Sequence, residues 1–223
     1  MKSRVMIAPS ILSADFAAMG NAVEKLEKCG ADLIHCDVMD GMFVPRITFG
    51  SQMVEAVKRH TSLPLDVHLM VVNPAAKIAD FAAAGADYIT VHAEACGDRL
   101  AETLRDIRAA GVKCGAVISP DTPFAAAEGA LELCDIFLVM SVYPGLGGQK
   151  FIERTLAKAE EAKNAVVRRG LSCLVEIDGG ITVENAGRVA DAGVDVLVAG
   201  NTVFKASDMA ATIAALRGGK CGA

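Results

Sequence analysis

A chain of 223 residues can bury a sizeable core, and a hydrophobic content of 52% excludes a disordered polymer. The net charge of −5 argues against nonspecific nucleic-acid binding. No apolar run reaches the roughly 20 residues of a membrane span, and the run after Lys2 and Arg4 stops at Pro9-Ser10 without a recognisable cleavage site. The expectation is a cytoplasmic protein with neither nucleic acid nor membrane among its partners.

In chain order, near-continuous apolar runs predict strands at 5–9, 32–37, 64–69, 86–91, 112–118, 134–140, 172–177 and 194–199. Amphipathic or Ala-rich stretches predict helices near 15–28, 51–60, 75–84, 98–110, 123–130, 153–169, 183–192 and 207–216. A weak repeat punctuates them: Gly30-Ala31-Asp32, Gly85-Ala86-Asp87 and Gly193-Val194-Asp195 each place a left-handed glycine at a helix end before a buried strand. Gly111 and Gly170 head looser copies. Eight strand–helix units without a linker predict an α/β fold, one (β/α)8 TIM barrel, with residues 1–223 as a single domain. An open doubly wound sheet is the alternative, weakened because no GxGxxG follows the first strand. Seven cysteines, an odd count with no CxxC pair, are read as small buried hydrophobes of a reducing compartment. The composition of 218–223 predicts a frayed end.

The chemistry concentrates at strand ends. Residues i and i+2 of a strand share a face, so His35 and Asp37 converge on one spot. His68 ends the third strand and Asp178 the seventh. Two imidazoles and two carboxylates gathered at one barrel mouth suit a divalent metal: Zn²⁺ first, with Fe²⁺, Mn²⁺ or Co²⁺ as alternatives. His92 is a further candidate ligand or substrate contact. Asp37 and Asp178, approaching from opposite strands, could take a proton from one face of a carbon and return one to the other. Met39, Met70 and Met140 lie just past strand ends, either as core filler or as an apolar lining that keeps water from a carbanion-like intermediate.

The loops point to an anion. The seventh strand ends in Asp178-Gly179-Gly180 and the eighth in Ala199-Gly200-Asn201, the positions where barrels often bind phosphate on backbone N–H groups and a short helix N-terminus. The run Pro144-Gly145-Leu146-Gly147-Gly148-Gln149 is a candidate lid or anion-binding loop.

Several ordered segments resemble the ribulose-phosphate 3-epimerase family: Ile7 to Phe16, His35 to Gly41, Phe43-Val44-Pro45, Asp66 to Val71, Pro144 to Gln149 and Asp178-Gly179-Gly180-Ile181. The resemblance runs from about Ile7 to Phe204. It implies a barrel that inverts C3 of D-ribulose 5-phosphate to give D-xylulose 5-phosphate through a metal-stabilised enediolate. It implies a metal on His35, Asp37, His68 and Asp178, with Asp37 and Asp178 as the acid/base pair. Ser10 and His68 would contact substrate, and Met39, Met70 and Met140 would line the pocket. Phosphate would sit on Gly145, Leu146, Gly147, Gly148, Gly179, Gly180, Gly200 and Asn201. A homo-oligomer, dimer or hexamer, is implied as well.

The chain departs from the pattern at Met42 (often His), Arg46 (often Asn), Tyr143 (commonly Asn, Asp or Glu) and Asn201 (usually Ser). These positions leave D-allulose 6-phosphate as an alternative substrate. A decarboxylase or aldolase-like barrel would need an Asp-x-Lys-x-x-Asp array, and Asp37-Val38-Met39-Asp40 has no lysine. A sugar-phosphate-binding barrel without turnover would predict a broken ligand set, and all four candidate ligands are present.

Overall fold

The structure, a computed structural model, describes residues 4–218. Eight parallel strands alternate with helices: β1 Met6–Ala8, β2 Ile34–Met39, β3 Leu65–Met70, β4 Tyr88–His92, β5 Lys113–Ile118, β6 Ile136–Met140, β7 Leu174–Asp178 and β8 Val196–Val198. They hydrogen-bond in the order β1-β8-β7-β6-β5-β4-β3-β2. A parallel bridge between Ser10 and His35, with the His35 N–H donating to the Pro9 carbonyl at 3.1 Å, joins β2 back to β1. The sheet thereby closes into a (β/α)8 barrel.

The surrounding helices are α1 Met19–Lys28, α2 Ser51–Lys58, α3 Ile78–Ala83, α4 Ala93–Cys96, α5 Leu100–Ala109, α6 Thr155–Arg169, α7 Val183–Asp191, α8 Asn201–Phe204 and α9 Met209–Leu216. Two expectations change. The stretch 123–130 forms no α-helix but two 3₁₀ segments, Phe124–Ala126 and Glu128–Leu133. Pro123 precedes it and Gly129 interrupts it, and runs so short take the tighter winding. Strand β1 stops at Ala8, because Pro9 has no N–H to continue the ladder. Among the described residues no helix is long and apolar enough to cross a membrane. The predicted frayed end lies, beyond Gly218, outside the described residues.

The repeat has a physical role beyond its glycines. Gly30, Gly85 and Gly193 adopt φ of +88°, +93° and +94°, reversing each helix into its strand. The aspartates two residues later then accept from the backbone of the preceding strand. Asp32 takes the Ile7 N–H at 2.8 Å, Asp87 that of Leu65 at 2.8 Å and Asp195 that of Val175 at 2.8 Å. Asp135, outside the sequence repeat, does the same for Cys114 at 2.9 Å. Basic side chains meet them in turn: Arg217 on Asp32, Lys58 on Asp87, Arg108 on Asp135 and Lys163 on Asp195. These clamps pin strand register at the end of the barrel opposite the loops.

Strand alternation sorts the core. Cys36, Val67, Leu69, Ile89, Val91, Phe137, Val139, Val175, Ile177 and Leu197 pack outward against the helices. The four most buried cysteines are Cys36, Cys114, Cys134 and Cys173, and the six described cysteines are free thiols. Inside the barrel, Ala8, Leu33, Tyr88, Ile136, Val196 and Val198 form one apolar cluster and Val117, Leu138, Met140 and Val142 a second, with the polar strand residues beside them.

Candidate active site

Parallel register builds the site in layers. On β2 and β3, His35 lies beside Asp66, Asp37 beside His68 and Met39 beside Met70. On β6 and β7, Leu138 lies beside Glu176 and Met140 beside Asp178. A buried layer of His35, Asp66 and Glu176 thus sits beneath a layer of Asp37, His68, Asp178 and Met140, with Met39 and Met70 above. Ligand atoms of His35, Asp37, His68 and Asp178 lie within 4.8 Å of one another. His35 Nε2 is 3.4 Å from Asp37 Oδ1, and His68 Nδ1 is 3.1 Å from the same oxygen. Ser10 Oγ donates to Asp37 Oδ2 at 2.5 Å.

The donor set fits a divalent metal by its own chemistry. His35 Nδ1 meets Asp66 Oδ2 at 2.5 Å, which leaves Nε2 buried, without a partner and turned toward Asp37. A buried, unpartnered imidazole nitrogen among two carboxylates and a second imidazole is what a metal would satisfy. His35, Asp66 and Glu176 also come within 4.8 Å of one another. The tight His35–Asp66 contact makes that triad a support for His35.

Electrostatics separates the two aspartates. Burial opposes ionisation of Asp37, but His35 outweighs it and holds the carboxyl well below its usual range. Burial pushes the Asp178 carboxyl up to about 7, and the charge of Asp37 adds to the push. Burial likewise resists charge on His35, yet Asp37 and Asp66 together raise its pKa well above the ordinary value. His68 is driven down to about 4, chiefly by burial, against the pull of Asp37. Glu176 is pushed well up by burial and by Asp66.

A cavity of about 520 Å³ opens above these groups. Asp37, Asp178, Ser10, Met39, Met70 and Met140 line its base; Gly145 to Gly148, Gly179-Gly180 and Gly200-Asn201 line its wall. The methionines are 1–4% exposed, so the base is apolar apart from the carboxylates and the Ser10 hydroxyl. Helix α8 begins at Asn201, and Gly200, Asn201 and Thr202 line the cavity beside the other glycines. Gly180 has φ +65°, and a Cβ there would stand 2.3 Å from Phe151 N. Gly180→Ala should therefore cost roughly 1–3 kcal/mol of unfolding free energy in urea titration.

Every site residue inferred from sequence falls at this mouth, but not all face the cavity. His35 and His68 are fully buried and do not line it. His92 lies behind His68, the two Nε2 atoms 2.9 Å apart and the rings stacked. Tyr143 is half exposed at the rim, where its hydroxyl meets Asp121 and Arg154 at 3.2 Å each. Met42 stands clear of the cavity at 76% exposure. Sequence reasoning does not single out Asp66, Glu176 or Glu94. The first two carry a readable signal: each is charged, sits two residues before a ligand on the same strand face, and interrupts an otherwise apolar run. Glu94 lies on a loop-borne helix, where no strand period marks it.

Residues 6–204 match the model of the Ribulose-phosphate 3 epimerase family. The chain is 50% identical over 217 residues to "Ribulose-phosphate 3-epimerase" of Bacillus subtilis (strain 168), covering 97% of this chain and 100% of that protein. It is 46% identical over 221 residues to the protein of that name from Synechocystis sp. (strain ATCC 27184 / PCC 6803 / Kazusa), covering 99% and 96%. Among solved structures, KGPDC from Streptococcus mutans is similar with a TM-score of 0.75 over 96% of each chain. At 15% identity that likeness shows the fold alone.

Proposed function

The chain belongs to the ribulose-phosphate 3-epimerase family and is an epimerase of the isomerase class, and we propose that it interconverts D-ribulose 5-phosphate and D-xylulose 5-phosphate in the cytoplasm with a divalent metal. One observation carries the mechanism: two carboxylates from β2 and β7, one held ionised and one holding a proton near neutrality, line the same cavity. Asp37, as carboxylate, takes the proton from C3 on its side, and the C–H electron pair moves toward the C2 carbonyl. Asp178, as carboxylic acid, then delivers its proton to the opposite face of C3. One C–H bond breaks, one forms, and the centre inverts; the reverse reaction exchanges the roles.

His35, Asp37, His68 and Asp178 would hold the metal, Zn²⁺ first among the candidates. When bound it supplies charge stabilisation at the substrate's C2 and C3 oxygens, worth several kcal/mol. Asp66 holds the His35 ring so that Nε2 faces the ligand set. Ser10, donating to Asp37 Oδ2, restrains that carboxylate and stands where a substrate hydroxyl would arrive. Met39, Met70 and Met140 exclude water from C3. The glycine wall and the start of α8 take the phosphate, which sets the distance from the anion to C3. Exposed Met42, Ile47 and Val72 side chains support a homo-oligomer.

Deuterium incorporation at C3 in D₂O, followed by NMR, tests the reading. Metal-loaded protein offered ribulose 5-phosphate and allulose 6-phosphate in parallel should exchange the pentulose strongly and the hexulose weakly. A chelated sample should exchange neither. Preference for the hexulose would move the substrate assignment, and exchange on neither would overturn the epimerase mechanism.

A further inference from the structure

A two-histidine chain connects the proposed metal set to a carboxylate outside it. His68 presents Nδ1 to Asp37 at 3.1 Å and Nε2 to His92 Nε2 at 2.9 Å. His92 presents Nδ1 to Glu94 Oε2 at 3.1 Å. Both rings are fully buried, and the Phe43 ring packs against His92 with centroids 4.7 Å apart. Glu94, on α4, is anchored by donors on the β5 loop: its Oε1 accepts the Ser119 N–H at 2.7 Å and the Thr122 hydroxyl. Lys158 fixes the same loop by donating to the carbonyls of Ser119, Pro120 and Thr122.

We propose that Glu94 is a positioning residue for metal binding, which acts through His92 to set the tautomer and orientation of the ligand His68. The inference rests on the metal set proposed above. A neutral imidazole has one donor and one acceptor nitrogen. The Glu94 carboxylate can only accept, so His92 keeps its proton on Nδ1. His92 Nε2 is then an acceptor, and the facing His68 Nε2 must be the donor. The His68 Nδ1 lone pair is left free beside Asp37, in the form a metal needs. The opposite setting would place a bare His92 nitrogen against a carboxylate and a proton on His68 Nδ1, which Asp37 accepts in the metal-free protein but which blocks ligation. Ser119 Oγ, 3.4 Å from His92 Nδ1, can donate or accept and does not choose between the settings.

The geometry makes Glu94→Gln a sharp test. The backbone N–H of Ser119 is an obligate donor, so the new amide oxygen must take its place there. The NH₂ group then faces His92 Nδ1 and requires a lone pair on it, which reverses the whole chain. Zn²⁺ and Co²⁺ dissociation constants, measured by competition with a chromophoric chelator, should weaken about 10–100-fold. Thr122→Val removes the other anchor of Glu94 without touching His92, and should leave both constants unchanged. Equal weakening in the two variants, or none in Glu94→Gln, would overturn the proposal in favour of simple loop stapling.

If Glu94→Gln does not fold, histidine ¹⁵N NMR of the zinc-loaded wild type decides. A proton on Nδ1 of His92 and Nε2 of His68 is expected, and a proton on Nε2 of His92 overturns the relay. A wild type that binds neither ion would overturn the metal set as well, whereas a failed relay leaves the metal set standing.

Discussion

Asp178→Asn is expected to lower kcat for epimerisation by at least about 10³-fold, since it removes a proton carrier worth about 10²–10⁴-fold together with an oxygen ligand. Its more telling result is a split between two readouts. Asp37 remains an ionised base on its own face of C3, so it can still remove a proton and return a solvent deuteron to the same face. One of the two ketose epimers should therefore exchange its C3 hydrogen without inverting, while the other does neither. Asp37→Asn should show the mirror image, with exchange confined to the other epimer through Asp178. Metal content is measured alongside, because the amide oxygen is a poorer ligand than the carboxylate. Inversion at near wild-type rates in either variant would sink the two-carboxylate mechanism. So would loss of exchange from both epimers in both variants while the metal is retained.

The reason the pair can work this way is also the reason it was legible. A strand places i and i+2 on one face, and a closed parallel barrel brings all strand C-termini to one mouth. His35, Asp37, His68 and Asp178 needed only those two rules and the order of strands. All eight strands were visible as apolar runs, although β2 begins at Ile34 rather than Asp32. That offset has a cause: the Asp32 carboxylate is committed to the Ile7 N–H and Arg217, so the residue acts as a clamp before the ladder starts. Glycine marked the turn in each repeat, but the function of the aspartate after it depends on a neighbouring strand that sequence does not place. The helices were legible where the amphipathic period ran unbroken, as in α6, and failed at 124–133, where Pro123 and Gly129 interrupt it.

The site's second layer was harder for a related reason. Asp66 and Glu176 obey the same i and i+2 rule as the ligands above them, so a strict reading of the period would have found them. Glu94 obeys no such rule. Its carboxylate reaches His92 at the end of β4 and Ser119 in the loop after β5, the latter 25 residues away in sequence. Likewise Tyr143, Asp121 and Arg154 meet only because loops after β5 and β6 and the start of α6 converge on the rim. Strand chemistry follows from local geometry, whereas loop chemistry follows from which loops become neighbours.

Removal of the metal should abolish C3 exchange and also reshape the protein's response to pH. With the site empty, like charges on Asp37 and Asp178 would be forced together, and the protein avoids this by keeping protons on Asp178 and His35. Both pKa values are raised above their unfolded values, so both groups hold more protons in the native state than in the unfolded one. Their contribution to stability is full below the unfolded pKa values, near 3.9 for Asp and 6.5 for His, and is lost as pH rises through the folded ones. In metal-free protein the Asp178 contribution should therefore fall as pH climbs from about 4 through 7, offset in part by His68, whose pKa lowered to about 4 returns stability as pH rises toward 6.5. A divalent ion would displace the proton on His35 and compete with the one on Asp178, which reverses the trend because ligation favours the deprotonated forms. Its affinity should rise with pH over the same window, and calorimetry in buffers of different ionisation enthalpy should detect proton release on binding. At a free-metal concentration of 100 times Kd the ion adds about 2.7 kcal/mol, or roughly 5–10 °C in Tm for a domain of this size. A Tm and a pH profile that are identical with and without the chelator would show that these four side chains do not form the metal site.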